Sequence, residues 1–423
     1  MLKNITLLFL VLILIVACGD SSSDPNDKVE TVTISCELLD SLYLENSQSL
    51  YLEWYGLTEL PDCIGECVDL KNMYLSRNEL TSLPNSICNL TLLTRLDIYE
   101  NKLNSLPENI GNLSELTTIS LALNNLTELP ESFGNLTKLK SMYLLMNKLS
   151  SLPESMSNLD NLTELHLSEN NLTAFPPAVC GMASLRKIDL SDNSIASIPS
   201  EIGQLKFVEE LDLSRNSLRE ITVDIKGMEK LTKLELDYNE FKNLPEKVCE
   251  LNKLEILSLR KNQLTTLPEN IYQMDSLKYI YLDYNHISDF PQSITNMKSL
   301  KTIWLIDNGM TELPEIIGDI ESLDDINLDR NFITKFPESL SKSNIRHLNL
   351  DSNGLKEFPS EIFEMKKLKY LRIRRNNIST VPEGISKLSG TLKYIWMLGN
   401  PMSEEEKAKL KEYLPNTAVL WDR

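Results

Sequence analysis

The sequence is poor in the residues on which enzymes most often rely. It has only three histidines (His166, His286 and His347) and 14 glycines in 423 residues. We find no glycine-rich phosphate loop and no histidine and cysteine spacing typical of a metal site. His166 would lie on a strand near Ser168 and Asp189, but an open strand offers neither the sharp turn nor the oxyanion hole that a catalytic serine requires. We therefore expect a protein that is not an enzyme and uses no cofactor.

Basic residues are scarce relative to acidic ones. The chain has 42 lysines and arginines against 61 aspartates and glutamates, which gives a formal net charge of −19 at pH 7. Proteins that bind nucleic acid use basic side chains to neutralise phosphates, so this charge argues against nucleic acid as a partner. An acidic surface favours solubility and the attraction of cationic partners.

No apolar run in the sequence is long enough to span a bilayer. The run from Leu7 to Ala17 follows Lys3 and falls short of the ~20 residues that a spanning helix needs, so it predicts the core of a signal peptide. Its end, Ile15 to Cys18, resembles the processing site of bacterial lipoproteins. The resemblance implies a signal peptide at residues 1–17, lipidation of Cys18 and anchoring to a bacterial membrane, which we expect to be the outer membrane with the chain exposed at the cell surface. The alternative is an ordinary signal peptide with an incidental cysteine. Residues 18–30 are small, polar and acidic, which predicts a flexible tether.

A 23-residue repeat occupies most of the chain. Its skeleton is L-x-x-I-x-L-x-x-N-x-L-x-x-L-P-x-x-F at Leu116–Asn135, and the asparagine recurs at positions 78, 101, 124, 147, 170, 193, 216, 239, 262, 285, 308, 331, 353, 376 and 400. One proline position recurs in phase, although Thr222 replaces it in one repeat. The x-L-x-L-x stretch predicts a short strand, because apolar residues alternate with variable ones. The asparagine amide is expected to bond the backbone of neighbouring turns and to form a ladder.

This pattern resembles the leucine-rich repeat family, in particular its 23-residue L-P-x-x-I class. The resemblance covers residues 47–402 and implies an α/β repeat solenoid, a curved horseshoe with a parallel β-sheet on its concave side and short helical segments on its convex side. The family's concave sheet commonly binds proteins. One repeat cannot bury its own apolar face, whereas a stack of repeats can.

The two ends depart from the repeat and predict caps. Residues 31–46 form the expected N-terminal cap, in which Leu38, Leu39 and Leu42 predict a helical turn. A disulfide from Cys36 to Cys63 or to Cys67 would link this cap to the first repeat, with a buried free Cys67 as the competing interpretation. Residues 403–423 form the expected C-terminal cap, where Ser403 and Glu406 predict a capping box. Val419 to Trp421 are expected to fold back onto this cap.

The residues between the skeleton positions of each strand define the expected concave surface. Aromatic residues there are candidate anchors for a partner, because they provide large contact areas at low entropic cost: Tyr51, Trp54, Tyr74, Tyr99, Tyr143, Tyr279, Tyr281, Tyr284, Trp304, Tyr370 and Trp396. A central acidic group is the second candidate set: Glu164, Asp189, Asp212, Glu235 and Asp237. We interpret these acids as a solvated face that steers a partner; calcium binding is the less favoured alternative.

Our functional prediction is a lipid-anchored protein of the bacterial cell envelope that binds a protein partner on its concave surface. Capture of glycans on the aromatic residues is the alternative. A structural spacer without a dedicated ligand is a third hypothesis.

Overall fold

The computed structural model describes residues 32–46 and 48–421. The predicted signal peptide, the Cys18 lipidation site and the tether at residues 18–30 lie outside the described residues. In the described part of the chain no helix has the length and apolar character needed to cross a membrane.

The repeats form short parallel strands, as their alternating pattern predicts, and two helices flank them. Helix α1 is Cys36–Asn46 and helix α2 is Glu404–Tyr413. The strands are β1 (Ser49–Tyr51), β2 (Asn72–Tyr74), β3 (Arg95–Asp97), β4 (Thr118–Ser120), β5 (Ser141–Tyr143), β6 (Glu164–His166), β7 (Lys187–Asp189), β8 (Glu210–Asp212), β9 (Lys233–Glu235), β10 (Ile256–Ser258), β11 (Tyr279–Tyr281), β12 (Thr302–Trp304), β13 (Asp325–Asn327), β14 (His347–Asn349), β15 (Tyr370–Arg372), β16 (Tyr394–Trp396) and β17 (Ala418–Leu420).

The chain divides into two compact units. The first comprises the described residues up to 172 together with residues 176–185, and its strands β1 to β6 pair in parallel with a register of 23 residues. The second comprises residues 173–175 and 186–421, and its strands β7 to β17 also pair in parallel. Their register is 23 residues except between β13 and β14, where it is 22, and from β15 to β16 and from β16 to β17, where it is 24. Each unit is a stack of leucine-rich repeats, so the predicted solenoid fold is confirmed.

Short 3-10 helices return the chain from one strand to the next. They are Asp62–Glu66, Asn85–Asn89, Ile110–Asn112, Glu131–Asn135, Glu154–Asn158, Pro177–Gly181, Ser200–Gln204, Glu246–Glu250, Glu269–Gln273, Gln292–Asn296, Glu315–Asp319, Glu338–Lys342, Ser360–Glu364 and Glu383–Leu388. Proline precedes nearly all of them, because its fixed φ and missing N–H suit the entry to a helix. Between β8 and β9, all of which is described, Thr222 holds the proline position and no 3-10 helix forms.

The predicted asparagine ladder is present and links successive repeats. Asn285 is 2% exposed; its Nδ2 donates to the carbonyls of Leu259 (2.8 Å) and Leu282 (3.0 Å), and its Oδ1 accepts from the Leu264 N–H (3.0 Å). The same three contacts recur at Asn262 and Asn376. Each asparagine therefore bonds the backbone of its own repeat and that of the preceding one.

A left-handed residue comes just before each ladder asparagine, and also before Tyr55, which holds the asparagine position of the first repeat. Before Asn400 it is Gly399, with φ 80°. The others are not glycine and have φ between 50° and 66°: Trp54, Arg77, Glu100, Leu123, Met146, Glu169, Asp192, Arg215, Tyr238, Lys261, Tyr284, Asp307, Arg330, Ser352 and Arg375. Left-handed backbone costs a non-glycine residue roughly 1–2 kcal/mol. It turns the chain sharply at the end of the strand, and the next residue, the asparagine, then lies in the interior.

The N-terminal cap is covalently linked to the first repeat. Cys36 in α1 forms a disulfide with Cys63, while Cys67 is a buried free thiol. Leu39 and Leu42 of α1 are buried, so the helix covers the open end of the core.

The C-terminal cap differs from the prediction in two respects. Ser403 Oγ accepts from the Glu406 N–H, which is half of the predicted capping box, but the Glu406 carboxylate accepts from the Val381 N–H of a neighbouring repeat. The prediction that Val419 to Trp421 fold back onto the cap is wrong for the first two residues. They belong to β17, which pairs with β16 and gives its backbone groups partners that a helical cap could not supply. Trp421 lies over Lys407 of α2, 5.3 Å from ring centroid to Nζ.

Candidate ligand-binding surface

The outward side chains of the strands and of the turns that follow them form what we call the sheet face. Each repeat contributes four such residues: the two outward residues of the strand, a third two positions later, and the left-handed residue. Because paired strands lie ~4.8 Å apart, equivalent residues of adjacent repeats stand side by side. All the aromatic and acidic residues predicted for binding occupy these positions.

In the first unit, Tyr51, Trp54 and Tyr74 form one aromatic cluster with arginine. The rings of Tyr51 and Tyr74 stack with centroids 4.9 Å apart. The Arg77 guanidinium lies 4.4 Å from the ring of Trp54 and 5.8 Å from that of Tyr99. Tyr51 is 51% and Trp54 69% exposed, so this cluster presents large rings to solvent.

A second contact in the first unit pairs Tyr143 with His166. Their rings stack with centroids 5.0 Å apart, and the Tyr143 hydroxyl donates to the Glu164 carboxylate at 3.5 Å. Ser168, two residues beyond His166, is buried.

The predicted acidic group does not act as a uniformly solvated face. Two of its members close the turn after their own strand, because the carboxylate accepts from the N–H two residues later: Asp189 from Ser191 at 3.0 Å and Asp212 from Ser214 at 2.8 Å. Burial raises the pKa of Asp212 to about 6, against the opposing effect of the bonds from Ser214, and Glu235 raises it further.

Asp237, a third member, belongs to an internal ion network. It accepts from the Ser258 hydroxyl (2.6 Å) and from the Arg260 N–H (2.7 Å). The Arg260 guanidinium lies 3.7 Å from Asp237 and 3.0 Å from Asp283, so it bridges two carboxylates. Glu235 forms an ion pair with Lys233 at 2.7 Å. These contacts reduce the negative charge that the group offers to a partner.

Cations flank several of the tyrosines in the second unit. Arg215 lies 4.2 Å from the ring of Tyr238, and Lys261 lies 4.7 Å from Tyr238 and 5.1 Å from Tyr284. Arg260 lies 4.3 Å from the ring of Tyr281, which meets Trp304 edge to face at 5.2 Å. Tyr279, the first residue of β11, is 37% exposed, much like Tyr238 and Tyr284. Each cation over the ring of Tyr238, Tyr281 or Tyr284 favours the observed ring orientation by ~0.5–1 kcal/mol.

The last repeats contain a cavity of about 310 Å³ on the sheet face, which we call the aromatic cavity. Trp304 and Trp396 line its two ends, and Asn327, Asn349 and Arg372 occupy the equivalent positions of the three strands between them. Three of the lining residues belong to a column of stacked rings that also includes Tyr394: His347 on Tyr370 at 4.3 Å, Tyr370 on Tyr394 at 5.6 Å, and Tyr394 on Trp396 at 5.8 Å.

The polar groups of the aromatic cavity are mainly hydrogen-bond donors. Asn327 Oδ1 accepts from the Asp329 N–H at 3.1 Å, and Asn349 Oδ1 accepts from the Asp351 N–H at 3.0 Å. These bonds leave the two NH₂ groups to face outward as donors. Arg372 adds a cation, and its guanidinium lies 5.5 Å from the Trp396 ring. Asp325 is the one acid that lines the cavity; burial raises its pKa, and His347 and Arg372 oppose that rise.

The residue classes chosen in the sequence analysis therefore recover only part of this cavity. Trp304, Tyr370 and Trp396 were among the predicted anchors, whereas Asn327, Asn349 and His347 are neither tyrosine, tryptophan nor acidic and were not predicted. Aligning the repeats in register would have placed them beside the anchors, since they hold equivalent positions in adjacent strands. The binding roles of all these residues stay predictions.

Metal binding gains no support from the described residues. Within them, no group of three or more histidine, cysteine, aspartate or glutamate side chains is placed to hold a metal ion.

Comparisons with known proteins identify the repeat. The model described as "Leucine-rich repeat region" matches residues 225–342, and the model described as "Leucine rich repeat" matches residues 114–172, 137–195, 183–241 and 343–400. A third leucine-rich repeat model matches residues 69–90. A search of curated protein sequences gives no match.

Solved structures of other leucine-rich repeat proteins are similar to this chain in fold and sequence. A leucine-rich repeat protein of Leptospira interrogans is 31% identical, with a TM-score of 0.71, and the alignment covers 90% of this chain and 97% of that one. The ectodomain of the Arabidopsis thaliana receptor kinase GASSHO1/SCHENGEN3, solved in complex with CASPARIAN STRIP INTEGRITY FACTOR 2, is 26% identical, with a TM-score of 0.61, over 89% of this chain and 50% of that one. An internalin of Listeria monocytogenes is 23% identical, with a TM-score of 0.59, over 77% of this chain and 92% of that one. The chain belongs to the leucine-rich repeat family, whose fold typically serves as a non-enzymatic scaffold for protein interactions.

Proposed function

We propose that this protein binds an extended segment of a protein partner in the aromatic cavity of the sheet face. The observation that carries the proposal is the arrangement of the cavity itself, in which two tryptophans enclose a row of amide and guanidinium donors. Buried aromatic residues and arginine dominate the energetics of protein interfaces. The donors suit the carbonyl and carboxylate oxygens of a polypeptide.

The dimensions of the cavity fit a short extended segment. Trp304 and Trp396 are separated by four strand steps. At ~4.8 Å a step this is about 19 Å, the length of about six extended residues. The Arabidopsis receptor ectodomain, solved as a complex with an integrity factor, supports binding of a polypeptide by this fold.

We propose further that the protein is a lipoprotein of the bacterial cell envelope, anchored through Cys18 to the outer membrane and exposed at the cell surface. The support is the signal sequence that ends at Cys18, together with the similarity to a Leptospira protein. Two or more acyl chains would give a stable anchor, where one chain gives marginal binding. Replacing Cys18→Ser should move the protein from the membrane fraction to the soluble fraction; retention of the variant in the membrane would contradict the anchor.

The binding proposal can be tested with photo-crosslinking on the full-length chain. A photoreactive residue at Tyr370 in the aromatic cavity should capture a partner from the surface of cells. The same residue at Tyr272, which is 45% exposed on the 3-10 helix Glu269–Gln273, serves as the matched control.

The affinity of the captured partner then tests the role of the cavity. Trp396→Ala should weaken binding by about 30-fold, the effect of a residue that contributes ~2 kcal/mol, whereas Tyr272→Ala should leave binding unchanged. Equal binding by both variants would overturn the proposal. Competition by a soluble oligosaccharide would instead favour the glycan alternative, for which the stacked column of Tyr370, Tyr394 and Trp396 offers flat ring surfaces.

A further inference from the structure

A second cavity of about 700 Å³ lies outside the sheet face and is basic, in contrast to the chain as a whole. Five lysines that line it form what we call the lysine strip: Lys301, Lys366, Lys367, Lys369 and Lys393. Three of them immediately precede a strand, and Lys366 and Lys367 lie in the turn that leads into β15. The strip therefore follows one edge of the last repeats, at the point where the return segments enter the sheet.

The lysine strip has a net positive charge because its lysines form no ion pairs with acids among the described residues. The cavity also contains Arg346, whose guanidinium forms a two-pronged contact with Asp324, one bond of which is 2.7 Å. Arg346 and Asp324 cancel each other, and Glu321 is the remaining acid in the lining. The charge of the cavity is therefore 6 − 2 = +4, on a protein with a net charge of −19.

The composition of the cavity indicates which kind of anion it suits. Lysine binds phosphate as a point charge, and the one arginine in the lining, whose planar fork could hold a carboxylate or a phosphate in a bidentate contact, is already engaged by Asp324. The lining has no aromatic residue, although aromatic anchors are typical of protein interfaces. A phosphate-bearing ligand therefore fits the cavity better than an acidic protein does.

The length of the lysine strip indicates a surface that carries many phosphates. Lys301 and Lys393 precede strands that are four steps apart, which corresponds to about 19 Å. One phosphate can contact lysines of only one or two neighbouring repeats. We propose that the lysine strip binds the headgroup phosphates of an anionic phospholipid bilayer, a contact that is separate from both the aromatic cavity and the lipid anchor.

The test compares binding of the full-length chain to vesicles of phosphatidylcholine alone and to vesicles that also contain phosphatidylglycerol. The difference in affinity between the two kinds of vesicle gives the contribution of lipid charge, separate from that of any apolar segment. The native chain should prefer the anionic vesicles, and the preference should fall as salt is added. Because each lysine near an anionic surface contributes a factor of about five to binding, the variant Lys366→Gln, Lys367→Gln, Lys369→Gln should bind them about 100-fold less tightly.

A control variant of equal net charge separates the lysine strip from overall charge. Lys71, Lys140 and Lys148 are exposed in the first unit and have no ion-pair partner among the described residues; changing all three to Gln should leave the preference intact. The proposal is overturned if the native chain shows no preference for anionic vesicles, if the strip variant keeps it, or if both variants lose it equally. Displacement of the vesicles by millimolar inorganic phosphate at constant ionic strength would indicate a site for a single small anion. Binding of polyglutamate that is equally tight and depends on the lysine strip would indicate an acidic protein as the partner. Either result would reject the bilayer as the ligand.

Discussion

Replacing Asn285 with alanine tests whether the asparagine ladder holds the repeats together. The change leaves the Leu264 N–H without a partner in the interior, which costs ~1–3 kcal/mol. The carbonyls of Leu259 and Leu282 each lose one bond but keep another, from Asn262 and Asn308 respectively, so each of these losses costs only ~0.5–1 kcal/mol. The sum is about 3 kcal/mol, which corresponds to about a 100-fold change in the equilibrium between closed and open forms.

Hydrogen exchange is the appropriate assay, because a stack of repeats can open locally without unfolding throughout. The amides of Leu259 and Leu282 donate to the carbonyls of Tyr281 and Trp304, both at 2.9 Å, and the substitution touches neither acceptor. Their exchange should accelerate by about 100-fold in the Asn285→Ala variant.

Asn400 provides the matched comparison. It makes the same kinds of contact, with the Ile378 N–H and with the carbonyls of Ile373 and Met397, but it is half-buried near the end of the stack. Water can replace its bonds, so Asn400→Ala should cost only ~1 kcal/mol. If Asn285→Ala accelerates exchange less than about threefold, or no more than Asn400→Ala does, the ladder does not carry the stability assigned to it.

Two further predictions concern a carboxyl group and a glycine. The folded-state pKa of Asp212 is raised from 3.8 to about 6, so its ionisation removes stability as the pH rises through this range. Asp212→Asn keeps the acceptor for the Ser214 N–H, so it should be more stable than the native chain by on the order of 1 kcal/mol at pH 8. Urea titrations should show that this advantage is absent below pH 4. An advantage that is largest at low pH would contradict the predicted pH dependence. Gly227→Ala would place a Cβ 2.0 Å from the Gly203 carbonyl oxygen and should cost ~1–3 kcal/mol of stability. Gly390→Ala is the control, because nothing lies within 4 Å of a Cβ at that position. Equal melting temperatures of the two variants would refute the contrast.

The repeat architecture could be predicted because its physical requirements recur at a fixed spacing. A buried amide at every 23rd residue has partners only if equivalent backbone groups lie beside it, which requires parallel stacking. The prolines similarly indicated the return segments, and the one repeat with Thr222 lacks the 3-10 helix that the others have. Fold class therefore followed from the sequence and is confirmed by the structure.

The chemistry of the candidate site was less predictable, because it depends on contacts between repeats. Asp189 and Asp237 are both acids of the sheet face, but Asp237, two positions beyond its strand, accepts from the next repeat, whereas Asp189, the last residue of its strand, accepts from the turn that follows it. The pairing of Arg260 with two carboxylates likewise joins residues 23 positions apart in both directions. β17 was missed because Val419 and Leu420 follow a helix and carry no repeat signature, yet they complete the edge of a sheet.

The left-handed residue of each repeat makes the sheet face unusually open to redesign. Its backbone conformation is imposed by the turn into the ladder asparagine, while its side chain remains outside the core. Tryptophan, arginine, glutamate, leucine and tyrosine all occupy it in this chain. Within each unit, a library confined to these positions would vary one residue per ~4.8 Å and leave the asparagines and the apolar core untouched. Glycine at any of these positions would remove the cost of the left-handed backbone. Such a library could therefore raise the stability of one repeat at a time, at the loss of that repeat's surface side chain.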